Sequence, residues 1–197
     1  MGKFNTKYMA KNAVLSVIAF LLMLLEIPLW FTPEFLKMDL SDLPAVIAAF
    51  AMGPIAGIIV ESIKVILKIG ITSTATAGVG ELANFLVGSI FSVTAAIIYR
   101  KNRNKKNILL GLIAGTVVMS VVASILNYIV LLPFYSKAYG LPLTVIVDMA
   151  KSLNSYVVDL RTFIAFGIFP FNIFKGIILT IITYAIYTRV RTSIEID

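Results

Sequence analysis

Leu43-Pro-Ala-Val-Ile-Ala-Ala-Phe-Ala-Met-Gly53-Pro54-Ile-Ala-Gly-Ile-Ile-Val-Glu61-Ser-Ile-Lys64-Val-Ile-Leu67 is apolar almost throughout and is broken once, at Gly53-Pro54. Read as one kinked span, it gives the chain five membrane crossings. Arg100, Lys101, Arg103, Lys105 and Lys106 then face the side opposite to Lys3, Lys7 and Lys11. Read as two helices, 43–52 and 54–69, joined by a tight turn, it gives six crossings. All the basic clusters, including Arg189 and Arg191, then fall on the cytoplasmic side, where lysine and arginine collect. The charge pattern therefore selects six crossings with both termini in the cytoplasm. Residues 43–52 cover only ~15 Å at 1.5 Å per residue, about half of the hydrocarbon core, which leaves room for a cavity open to the outside.

Composition supports the membrane reading. The 197 residues are 59% hydrophobic and 14% charged, with a mean hydropathy of +0.97, whereas soluble domains carry about 25% charged residues. Cysteine and histidine are both absent. Disulfides, thiol nucleophiles, histidine metal sites and histidine-based triads are thereby excluded. The formal charge of +7 is explained by basic flanks of apolar segments, so no nucleic-acid partner is called for.

The remaining segments follow from the same pattern. An apolar run over 12–30, after the basic start, predicts the first span, with Trp30 at its outer interface. Too long for a signal-peptide core and without a small-residue cleavage site, this run is expected to remain in the protein. Ala13, Ser16 and Ala19 give it a small-residue face, suited either to packing within the chain or to docking a partner helix. Asp42 is expected to cap the second helix. Glu61, Lys64 and Lys68 lie three and four apart and are expected to form an internal ion-pair network, since intramembrane charges avoid lipid. Further spans are predicted at 79–99, 108–132 and 170–188, with an outer loop after Pro133 and an amphipathic helix over 143–160. Residues 1–197 are thus expected to form one all-α membrane domain, a six-helix bundle.

The polar residues of these helices gather near the outer end. Thr72-Ser-Thr-Ala-Thr-Ala-Gly78-Val-Gly80-Glu81-Leu-Ala-Asn84 is small, hydroxylated and glycine-rich before it enters a helix. Gly78 and Gly80 permit unusual backbone angles or close approach of a ligand. Asn84 lies six residues below Gly78, Asn127 six from Pro133, and Lys175 five below Pro170. All three therefore sit roughly 8–9 Å below the outer helix ends. Glu81 and Asn172 lie about a turn higher. Any one intramembrane amide is ordinarily a packing hydrogen bond; this many at matched depth point to a small-molecule site. Amides offer donors and acceptors and an ammonium offers donors, which suits a flat heterocycle. Leu36, Met38, Leu40 and Phe134 are the candidates for its apolar cover.

Phe35-Leu-Lys-Met-Asp39-Leu-Ser-Asp42-Leu-Pro44, the Gly53-Pro54 break, Val79-Gly-Glu-Leu-Ala-Asn-Phe-Leu86 and Pro170-Phe-Asn-Ile-Phe-Lys-Gly176 together resemble the riboflavin-binding S components of energy-coupling factor (ECF) vitamin transporters. The resemblance runs through essentially the whole chain. It implies a six-helix bundle that binds riboflavin, or its phosphate FMN, from outside as transported substrate, with no cofactor. It also implies two ABC-type ATPase subunits and a transmembrane coupling subunit as partners. The site elements it implies carry Glu81, Asn84, Asn127, Asn172 and Lys175 here, and the helix that docks on the coupling subunit carries Ala13, Ser16 and Ala19. No Gly-x-x-x-x-Gly-Lys-Ser/Thr phosphate loop occurs in the chain, so energy would come from partners. Rival readings are an S component for another vitamin, a solitary flavin facilitator, and an intramembrane enzyme using Glu81, Asp39 or Asp42. The last has no nucleophile–base pair to support it.

Overall fold

The computed structural model describes residues 6–74 and 78–194. Lys3 of the first basic cluster and positions 75–77 of the glycine-rich stretch lie outside the described residues. The fold is all-α. Four continuous helical stretches, Thr6–Met23, Val79–Lys101, Lys105–Tyr139 and Leu160–Thr192, are long and apolar enough to cross a bilayer, and Asp42–Met52 is apolar but short.

Helix α1 runs Thr6–Met23 rather than over 12–30. Its end is set by Pro28, which has no N–H to give a helix and drives the residue before it into extended backbone. Ile27-Pro28 (β1) accordingly pairs antiparallel with Lys37-Met38 (β2), Ile27 opposite Met38. The apolar letters from Ile27 to Trp30 thus belong to an outer hairpin, and Trp30 is 81% exposed. The start moves outward too, because the basic flank is helical.

Helix α2, Asp42–Met52, is buried at every position from Asp42 to Ala51. Helix α3 follows as Pro54–Thr72. Between them Gly53 has φ of 110°, a conformation that residues with a Cβ rarely adopt, and Pro54 supplies the preset φ of a first helical turn. The chain therefore reverses within two residues. Helix α4 is Val79–Lys101 and α5 is Lys105–Leu126, whose Asn104 cap accepts from the Asn107 N–H.

The outer ends of the last two long helices differ from expectation. Helix α5 passes through a π-turn at Asn127–Leu131 into α6, Leu132–Tyr139, so Pro133 sits in a helical first turn and no loop begins there. Gly140, with φ of 64°, ends α6. The amphipathic helix α7 covers Leu143–Lys151 only, and buries Ile146, Val147 and Ala150 beneath Phe35 and Leu36. Helix α8, Leu160–Phe163, opens on a capping box between Asp159 and Thr162. It then continues through a π-turn at Ile164–Ile168 into α9, Phe169–Ile194. Pro170 does not start this helix. Lacking an N–H, it leaves the carbonyl of Phe166 without its usual donor, and the Asn154 side chain donates to that carbonyl at 3.3 Å.

Helix α4 packs along α5, and α5 along α9, at distances that only small residues allow. A Cβ on Gly111 would lie 2.5 Å from the carbonyl oxygen of Ala95. Below the outer half, Phe50, Tyr99 and Tyr187 close on one another with ring centroids 4.9–5.6 Å apart, all fully buried. Gly111→Ala is expected to lower stability by about 1–3 kcal/mol through overpacking against backbone. Gly70→Ala, where nothing lies within 4 Å, should be neutral or slightly stabilising. Thermal unfolding of the two variants in detergent distinguishes them.

Candidate functional site

Asp42, the first residue of α2, meets two ammonium groups. Lys64 of α3 donates to its Oδ1 at 2.7 Å, and Lys175 of α9 lies 2.8 Å from its Oδ2. Lys64 also donates to Ser41 Oγ at 2.7 Å and lies 2.7 Å from Glu61 Oε2. It thus donates to Ser41 and Asp42, and its contact with Glu61 is an ion pair. Asp39 braces the approach: its Oδ1 accepts from the Ser41 N–H at 2.7 Å. Its Oδ2 accepts from Asn84 Nδ2 at 3.1 Å and lies 3.5 Å from Lys175 Nζ. All five charged side chains are 6% exposed or less. Asp42 is thus an ion-pair hub, where the sequence pattern expects a helix cap; Ser41 precedes the helix and makes no side-chain cap bond.

Lys68 does not join this network. It pairs instead with Glu26, which also lies 3.5 Å from Lys37, so that α3 is tied to the outer hairpin at the rim. The four-residue step from Lys64 carries Lys68 a full turn outward, beyond the reach of Asp42.

Above the network lie two adjoining cavities. The inner one, about 150 Å³, is lined by Asn84, Asn127, Asn172, Lys175 and Asp39, with Leu36 among its apolar walls. The outer one, about 1030 Å³, is lined by Glu81, Asn84 and Asp39 and by the rim residues Glu26 and Lys68. Phe35 and Tyr135, with ring centroids 5.7 Å apart, line both. Four of the five expected polar groups therefore converge in the inner chamber. Glu81 faces the outer one, where its Oε2 accepts from Thr74 Oγ1 at 3.0 Å and Thr74 Oγ1 accepts from the Gly78 N–H at 2.8 Å. The amide nitrogens of Asn127 and Asn172 donate to the carbonyls of Ala123 and Ile168, each at 2.8 Å. That leaves the acceptor oxygen and the second amide N–H as the groups these two side chains offer a ligand.

Other expectations need correction. Lys175 reaches the cavity, but its charge is matched by Asp42 and Asp39, so it is a structural ion pair as well as a wall. Leu40 packs against the core around α2, Met38 lies in β2, and Gly78 makes the left-handed turn before α4, with φ of 85°; none of the three lines either cavity. Phe134 is half exposed. Of the expected cover residues Leu36 lines the inner cavity, and Phe35 joins it there. The sequence reading missed Asp39 and Asp42 as partners of Lys175; charge counting could have found them, since lysines inside apolar helices need acidic partners. Tyr135 carries no comparable signal in the sequence.

The expected docking face on α1 is divided. Ser16 and Ala19 are fully buried; Ser16 donates to the Asn12 carbonyl at 2.7 Å, and Ala19 packs against Ala45, Ala48, Ala56 and Val60. Ala13 is exposed. A three-residue step falls short of a full helical repeat by about 60°, so three such positions do not hold one face.

Residues 7–187 match the family model described as ECF transporter, substrate-specific component. The chain belongs to that family. It is 41% identical to the riboflavin transporter RibU of Staphylococcus aureus (strain TCH60), over 97% of this chain and 94% of that one. It is 39% identical to the riboflavin transporter FmnP of Bacillus subtilis (strain 168), over 97% and 95%. A solved structure described as the S component of a bacterial ECF transporter matches with a TM-score of 0.76 and 38% identity, covering 94% of this chain and 96% of that chain. As an ECF substrate-specific component, the chain is a membrane-embedded transport protein rather than an enzyme, and works with an ECF module.

Ser16→Trp is expected to destabilise the ligand-free protein, because an indole has no room at a fully buried position, whereas Ala13→Trp should leave unfolding nearly unchanged. Lys175→Met should lower stability by about 3–5 kcal/mol, since it strips a partner from buried carboxylates. Thermal unfolding without ligand checks all three, and an unaltered Lys175→Met would contradict the ion-pair reading.

Proposed function

We propose that this S component binds riboflavin from the outside and passes it to an ECF module of two ABC-type ATPases and a transmembrane coupling subunit. The observation that carries the reading is the convergence of Asn84, Asn127, Asn172 and Lys175 in one buried chamber beneath a larger open one. Support also comes from the relatives named riboflavin transporters. Pockets for drug-sized ligands run to roughly 300–1,000 Å³, so the inner chamber alone is too small for a flavin. The polar edge of the isoalloxazine ring, with its ring N–H and carbonyls, sits on the amide floor in this reading. The rest of the ligand occupies the outer chamber, passing between Phe35 and Tyr135.

The chain crosses the membrane six times in this proposal, α2 being the short span that leaves space below the outer surface. Both termini and the Arg100–Lys106 loop lie in the cytoplasm, as the distribution of lysine and arginine favours. The lack of a phosphate loop in the sequence is the reason for assigning ATP hydrolysis to partner subunits.

Titration of the purified chain with riboflavin, followed by quenching of flavin fluorescence, tests the ligand assignment. Wild type should bind, and Asn127→Leu should bind roughly 5- to 150-fold more weakly, from the loss of a hydrogen bond of ~1–3 kcal/mol in a desolvated site. Full affinity in a well-folded Asn127→Leu would contradict the site. For topology, a cysteine placed at Asn104 should resist an impermeant thiol reagent added to intact cells; labelling from outside would contradict the orientation.

A further inference from the structure

The buried network does not balance its charge. Asp39, Asp42 and Glu61 are three carboxyl groups, Lys64 and Lys175 are two ammonium groups, and all five are buried. A residual negative charge inside the bilayer is costly, and its place can be read from the geometry. Asp42 faces both ammonium groups, and Asp39 faces Lys175 and receives two further hydrogen bonds. Glu61 has one neighbour of opposite charge, Lys64, whose hydrogen bonds go to Ser41 and Asp42 instead. Both carboxyl oxygens of Glu61 are buried without a hydrogen-bond partner.

The surroundings of Glu61 argue for a proton rather than a metal ion. Among the described residues no group of three or more acidic, His or Cys side chains is placed to hold a metal. The ammonium of Lys64, 2.7 Å from Oε2, would also repel a second cation. On the α4 side Gly88 covers the carboxyl with backbone alone, and a Cβ there would lie 2.6 Å from both carboxyl oxygens. The charged groups of the network come from α2 and the segment before it (Asp42, Asp39), from α3 (Lys64) and from α9 (Lys175).

We propose that Glu61 is a proton-binding site, occupied in the folded protein. The carboxylate takes one proton from solvent hydronium as the helices close: one hydronium O–H bond breaks, the carboxyl O–H bond forms, and water is released. Two carboxylates then face two ammonium groups, and the interior beneath the ligand cavity is neutral. A neutral ligand can bind above it without a compensating ion. The inference concerns the charge balance of the fold and stands apart from the identity of the ligand.

The test compares Glu61→Gln with Asp42→Asn. Glutamine reproduces a neutral carboxylic acid, so Glu61→Gln should unfold within about 3 °C of wild type. Asp42→Asn leaves two buried ammonium groups short of a partner, and should unfold roughly 5–15 °C lower or fail to accumulate as folded protein. Infrared difference spectra supply a readout that stability does not: the carbonyl stretch of a protonated carboxyl group should be present in wild type and lost in Glu61→Gln. A Glu61→Gln protein as unstable as Asp42→Asn, or one whose spectrum retains that band unchanged, would overturn the proposal.

Discussion

Asp42 sits between two ammonium groups in a region with almost no water, and the arrangement of the outer half of the molecule depends on that contact. Lys64 belongs to α3 and Lys175 to α9, so one carboxylate at the start of α2 fixes three helices relative to one another. Taking these charges out of water costs several kcal/mol each, and mutual attraction offsets this only when the remaining hydrogen-bonding capacity is filled. Ser41 and Asn84 fill part of it, the first bonding Lys64 and Asp39 and the second Asp39. The network is therefore a constraint more than a source of stability: once the chain has buried it, other helix positions leave charges unpaired.

The cavity is a consequence of the same geometry. Because α2 is short and capped from above by the Asp39–Ser41 turn, space remains between the network and the outer hairpin, and the amides of α4, α5 and α9 face into it. Two π-turns, at Asn127–Leu131 and Ile164–Ile168, shift the helical register where α5 and α9 pass the cavity. Such insertions are common at functional sites. Below the network, the Phe50–Tyr99–Tyr187 cluster fills the interior. The cavity opens toward the hairpin and α7, and dense aromatic packing lies toward the basic loops.

Features governed by local chemistry were legible in the sequence. Gly53-Pro54 marks the reversal between α2 and α3 because a positive φ followed by a preset helical φ is written into those two residues. The intramembrane amides mark the cavity because polar groups in apolar helices need a reason. Features governed by partners far away in sequence were not. Asp42 looked like a helix cap because the ammonium groups that pair with it lie 22 and 133 positions on, at Lys64 and Lys175. Pro170 looked like a helix start because the Asn154 amide that replaces its missing donor is contributed by another segment. The apolar run to Trp30 looked like membrane span, although Pro28 had already excluded a helix there. Ser16 and Ala19 were left open between internal packing and partner docking because small residues suit either surface, and only the packing of α2 and α3 decides which.

The central claim is that one carboxylate joins the helix pair α2–α3 to the cavity-lining helix α9. A double-mutant cycle between Asp42→Asn and Lys175→Met, read as unfolding free energy of the ligand-free protein, tests it most directly. If the two residues act as one contact, the double variant loses less stability than the sum of the single losses, by about 0.5–3 kcal/mol. Losses that add to within about 0.5 kcal/mol would mean that Asp42 and Lys175 do not depend on each other, and would contradict the account.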